Sequence, residues 1–83
     1  MNVFEDVKRH EKGALDLPDL KFRELIFIGA LRRLDDGRDP TRAEVEVDPT
    51  RPMPPFREEG LFPVGSRFVV ARRDGRAHFT RLQ

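Results

Sequence analysis

The chain has no cysteine, no tryptophan and no tyrosine, and its 83 residues include a single serine and only two histidines. Without cysteine there are no disulfides, thiolate metal sites or thiol chemistry, and the small secreted scaffolds that fold around disulfides are excluded. A hydroxyl nucleophile needs a base and an orienting carboxylate beside it, whereas Ser66 follows Gly65 at a predicted turn into a strand, where serine is ordinary. His10 and His78 are too far apart in sequence to give a zinc spacing. His10 falls near the end of a predicted helix, where a cation is favoured by the helix dipole. Asp35, Asp36 and Asp39 lack the alternation and distal glutamate of a calcium loop. The six glycines are dispersed, so no phosphate-cradling loop or dinucleotide fingerprint can be assembled from them. The expectation is a chain that is not an enzyme and has no cofactor, metal or small-molecule substrate.

Long apolar runs are also missing. Leu25 to Leu31 is the longest near-continuous one, far short of the ~20 residues of a spanning helix. The first residues carry acids where an export signal would be apolar. This predicts a soluble protein without a cleaved signal, cytoplasmic, or carried in a virion if a phage encodes it. Thirteen of the sixteen basic residues are arginine, a bias that GC-rich bacterial and phage genomes produce.

Apolar and charged residues each make up 37% of the chain, and there are seven phenylalanines, a composition that suits a folded domain and not a disordered chain. The length fits one small domain over residues 1–83, with room for one core. Net charge is +1, yet residues 61–83 carry five basic side chains and one acid, making the C-terminal quarter the positive end.

Asn2 and Glu5 form a capping pair for a short helix over 3–12 with Val3, Phe4 and Val7 on one side, closed by Lys12 and Gly13. Residues 15–20 read as an extended connector, because Pro18 disfavours helix at Leu17. The apolar stretch 21–34 fits helix and strand periodicities alike. The turn cluster Asp35 to Pro40 and the alternation of Val45 and Val47 with Glu44, Glu46 and Asp48 favour a hairpin of strands 22–33 and 42–48. The competing pattern takes Thr41 and Glu44 as a capping box and resembles the opening of a winged helix-turn-helix in general. Pro49, Pro52, Pro54, Pro55 and Pro63 then occupy the place of its recognition helix, where each would cost about 3 kcal/mol. Residues 49–64 are therefore expected to be a proline-rich extended crossing loop or arm. Asp74-Gly75 between two alternating runs marks a second hairpin, with strands 66–73 and 76–82. The fold class predicted is α+β: mainly antiparallel β, about four strands in two hairpins, with a short N-terminal helix. The expected core is Phe22, Leu25, Phe27, Leu31, Val45, Val47, Phe62, Phe68, Val70 and Phe79. There is no internal repeat, and apart from the prolines no low-complexity tract.

Two surfaces are candidates for partner binding. In the arm, Met53, Phe56 and Arg57 adjoin prolines spaced by three, the period of a polyproline II helix that docks into aromatic grooves. On the second hairpin, Arg67, Arg73 and Arg76, with His78, share a face suited either to phosphates or to acidic protein, including the chain's own Glu44, Glu46 and Asp48. The function expected is a non-enzymatic protein-binding or structural accessory subunit of a bacterial or phage assembly. The alternative is a nucleic-acid-binding module that uses the basic hairpin as a wing or ribbon.

Overall fold

The computed structural model describes residues 14–82, and the helix expected over 3–12, with His10, lies outside the described residues. Strands β1 (Ala14–Pro18), β2 (Leu31–Arg33), β3 (Arg42–Val47), β4 (Arg67–Arg73) and β5 (Arg76–Arg81) form one antiparallel sheet in the order β1-β5-β4-β3-β2. One helix, α1 (Asp19–Phe27), and the loop from Asp48 to Ser66 cover one face of it. The architecture is mainly β with a short helix, as the composition and turns suggest, but the sheet has five strands and not four.

Sheet alternation decides which residues are buried. Leu15 and Leu17 of β1, Ala43, Val45 and Val47 of β3, Phe68 and Val70 of β4, and Ala77 and Phe79 of β5 point to the covered face and are all buried. Phe22 and Leu25 project from α1 onto them and Phe62 from the loop. Four phenylalanines knit the three layers together: Phe79 meets Phe22, Phe62 and Phe68 at ring-centroid distances of 5.7, 5.3 and 5.8 Å, each edge to face. Burying each such ring contributes roughly 1.5–3 kcal/mol, so the aromatic cluster is the main tie between sheet and cover.

The C-terminal hairpin has the expected register, with Val70 opposite Phe79 and Arg72 opposite Ala77. Its turn uses Asp74 at φ 55° and Gly75 at φ 75°, the paired left-handed conformation of a type I′ turn. The first hairpin also exists, but its first arm is only the three residues of β2.

The strand expected over 22–33 is overturned. Residues 19–27 are helical because Pro18 ends β1 and stands at the N-cap, while Gly29, at φ 85°, accepts the left-handed turn that stops the helix after Ile28. The apolar run therefore belongs to two elements, the last turn of α1 and the start of β2. Phe27 is a second correction: it lies on the outer side of α1 and is 89% exposed, not in the core. The connector expected over 15–20 is a third, since Ala14–Pro18 pairs with β5 as the fifth strand. The capping-box pattern is overturned too, because Thr41 leads into β3 and its N–H and hydroxyl both donate to Asp39.

Candidate functional site

The loop's apolar residues face inward. Met53 and Phe56 pack partly buried against the core, and the Phe56 ring lies 6.0 Å from Phe62 and 5.0 Å from the Lys21 ammonium. Arg57 beside them is exposed. The arm residues are thus separated by role: two hold the loop down, and one reaches solvent.

The acids of the turns are occupied locally. Asp35 accepts hydrogen bonds from the Gly37 and Glu44 backbone N–H groups and from Arg33 Nε at 2.6 Å. Arg33 and these amides hold its carboxyl below the usual aspartate range. Asp48 accepts from the Thr50 N–H and hydroxyl, which lower its pKa in the same way. Ser66 donates its hydroxyl to the Pro63 carbonyl, the turn role its position suggests.

The other face of the sheet carries no covering element among the described residues. Its rows follow from the register: Arg73 beside Arg76 at the hairpin end, then Asp16, His78, Ala71 and Arg42, then Thr80, Val69 and Glu44, then Arg67, Glu46 and Arg32. Arg67, Arg73 and Arg76 are brought onto this one surface, but not into one cluster. Arg73 and Arg76 are adjacent, and with His78, Asp16 and Thr41 they line a shallow cleft of about 520 Å³ floored by Ala71. Arg67 is six residues along β4, beside Glu46, which pairs with Arg32.

A second surface was not legible as a site in the sequence. Leu20 and Phe27, seven residues apart, project from the same outer side of α1 and are 75% and 89% exposed, with Arg23 and Glu24 between them. Phe27 stands between two grooves of about 330 and 390 Å³. Arg23, Arg33 and Arg72 contribute to the first, and Ile28, Arg32 and Arg51 to the second. The signal that could have found it is the bracket of Pro18 before and Gly29 after a nine-residue stretch, which fixes a helix and puts Phe27 opposite Phe22 and Leu25 on its wheel.

No family model, curated protein or solved structure matches this chain.

Proposed function

We propose that this chain is a non-enzymatic protein-binding module, an accessory or structural subunit of a larger bacterial or phage assembly. The observation that carries this reading is Phe27, an aromatic ring almost wholly in water although the same helix buries Phe22 and Leu25 completely. Large apolar side chains grouped on a surface and rimmed by charge are the usual mark of a protein contact, and aromatic residues dominate the energies of such contacts. Leu20 extends the apolar stripe, and the surrounding arginines supply the polar rim. Arg67, Arg73 and Arg76 on the opposite face, and Arg57 on the loop, offer further contacts. Met53 and Phe56 act indirectly, by fixing the loop.

Nucleic acid is the second reading, favoured by Arg73 and Arg76 side by side on an uncovered sheet. Against it, Asp16, Glu44 and Glu46 share that face, and among the described residues no phenylalanine stands there on which a base could stack.

The deciding experiment retains tagged protein in its native lysate, with and without nuclease, at low and moderate salt, comparing wild type with Phe27→Ser. A defined protein partner should survive nuclease and salt and be lost from the variant, whose thermal midpoint stays at the wild-type value because the ring is exposed. Truncating an aromatic anchor is worth about 2 kcal/mol or more, roughly thirtyfold in affinity. Undiminished capture by Phe27→Ser would sink the reading, and nuclease-sensitive capture would transfer it to nucleic acid.

A further inference from the structure

The uncovered face of the sheet changes character along its strands. Toward one end the charges alternate in sign, with Arg32 paired to Glu46 and Arg67 opposite Glu46 in the register. At the hairpin end the last paired strand positions are both arginine, with Asp74 in the turn that joins them. Arg73 and Arg76 are cross-strand partners flanking the Asp74-Gly75 turn, and neither forms an ion pair among the described residues. Like charges directly opposite one another on neighbouring strands are destabilising, so this pair is a standing cost unless an anion lies between the two guanidinium groups.

The cleft beside them has the shape for one. Ala71 forms its floor, and in its row the small methyl group lies between His78 on β5 and Arg42 on β3. Arg73, Arg76, Thr41 and His78 therefore line an open space with an alanine at its base, and Arg42 stands beyond that alanine in the same row. Asp16, the acid in the cleft lining, is directed at the imidazole, its carboxylate 3.1 Å from His78 Nδ1, which must donate because a carboxylate only accepts.

We propose that this cleft binds the phosphate group of a monoester, held by Arg73 and Arg76 from two sides with Arg42 beyond Ala71. Guanidinium forks match phosphate oxygens in bidentate geometry, and a monoester carries close to two negative charges at neutral pH, where a carboxylate or a diester carries one. The extent of the positive region selects a single group over a polymer. A backbone leaving the cleft meets Asp16 on β1 to one side and Glu44 on β3 to the other, so the attraction ends within two rows. The site lies on the opposite side of the sheet from Phe27, so it can fail its test without touching the protein-binding reading that rests on that ring.

The test is a titration of amide chemical shifts in the full chain with inorganic phosphate, phenyl phosphate and dimethyl phosphate at constant ionic strength. Inorganic phosphate and phenyl phosphate should give saturable shifts confined to residues 71–78 and to Arg42, at millimolar concentrations, and dimethyl phosphate should bind at least about tenfold more weakly. Arg76→Gln should abolish the response. That variant removes a like-charge pair, so its thermal midpoint in phosphate-free buffer should equal or exceed that of the wild type. Phosphate should then raise the midpoint of the wild type alone. Equal responses to all three probes, or shifts in Arg76→Gln as large as in the wild type, would mean ionic screening without a site. Tighter binding of a mixed-sequence oligonucleotide, with shifts running along β4 to Arg67, would also overturn the proposal and assign the face to a nucleic-acid backbone.

Discussion

Asp19 joins three elements through one residue. Its N–H donates to the Gly75 carbonyl at 2.8 Å, and its carboxylate accepts from Arg72 Nε and Nη2 at 2.8 and 2.9 Å. Arg72 in turn lies 5.1 Å from the centre of the Phe22 ring, so the pair fastens the start of α1 to the β4–β5 hairpin. The Arg72 hydrogen bonds hold the Asp19 carboxyl below its ordinary value of 3.8 against the opposing effect of burial. A carboxyl depressed in the folded state adds stability that is fully present above the unfolded pKa and is lost as pH falls through the folded one. Asp19→Asn should therefore lower unfolding free energy at pH 7 by roughly 1–2 kcal/mol, the range for a partly exposed charge-assisted pair. In denaturant titrations that difference should shrink toward zero as pH falls below about 4. A difference that persists unchanged at low pH would show that Asn disturbs the helix start itself and not the ion pair. Phe22 and Phe27 make the complementary point about what sequence reveals at this scale. Both look like core residues by type, and nine of the ten expected core positions are indeed buried. Phe27 escapes because side-chain hydrophobicity does not say which side of a helix a ring occupies.

Local signals are strongest where a turn and an alternating pattern agree. The β4–β5 hairpin was readable to its register because Asp74-Gly75 admits a type I′ turn and the strands on both sides alternate. Gly75 adopts φ 75°, and a methyl group added there would meet nothing within 4 Å. Gly75→Ala should consequently destabilise through backbone strain alone, by roughly 1–2 kcal/mol, with the chemical shifts of the core phenylalanines unchanged. A loss much larger than this in thermal unfolding would mean that the turn carries packing the structure does not show. The segment 19–33 was misread for the opposite reason: local signals there compete. Leu25 to Leu31 is apolar at every position but Gly29, so periodicity is silent, and the run crosses an element boundary. Only the glycine marks that boundary, and its left-handed φ is a property of the folded backbone. β1 was missed because five residues ending in proline make a poor strand alone, and it forms by pairing with a partner at the far end of the chain. The basic face was legible as a set of arginines. Their division between an arginine pair at the turn and mixed rows beyond it was not, because it depends on β3 and β1 flanking the hairpin.

Among the described residues the sheet is covered on one side and has two unpaired edges to manage, and the register shows how it does so. The bond from the Asp19 N–H to the Gly75 carbonyl sets the phase of the β1–β5 ladder. Antiparallel alternation then turns the Leu15 and Leu17 backbone groups toward β5 and those of Asp16 and Pro18 outward. The outer edge thus presents a charged residue and a proline with no N–H, both unfavourable to a further strand. At the opposite edge β2 is only three residues long, and of its outward-facing residues Leu31 is buried, leaving Arg33 as the accessible position. In β4, at the centre of the sheet, every residue bonds to one neighbour or the other. Amide hydrogen exchange should read this arrangement directly. Protection along β1 should alternate, slow at Leu15 and Leu17 and fast at Asp16. Arg33 should exchange faster than Arg32, which faces β3, and protection should be continuous from Phe68 to Arg72. Uniform protection along β1 would mean that its outer edge is paired, and the sheet would then extend beyond the five strands. With alternation at the edges and none at the centre, the sheet ends where charge, proline and brevity end it, and the surfaces left for the proposed contacts are its uncovered face and the outer side of α1.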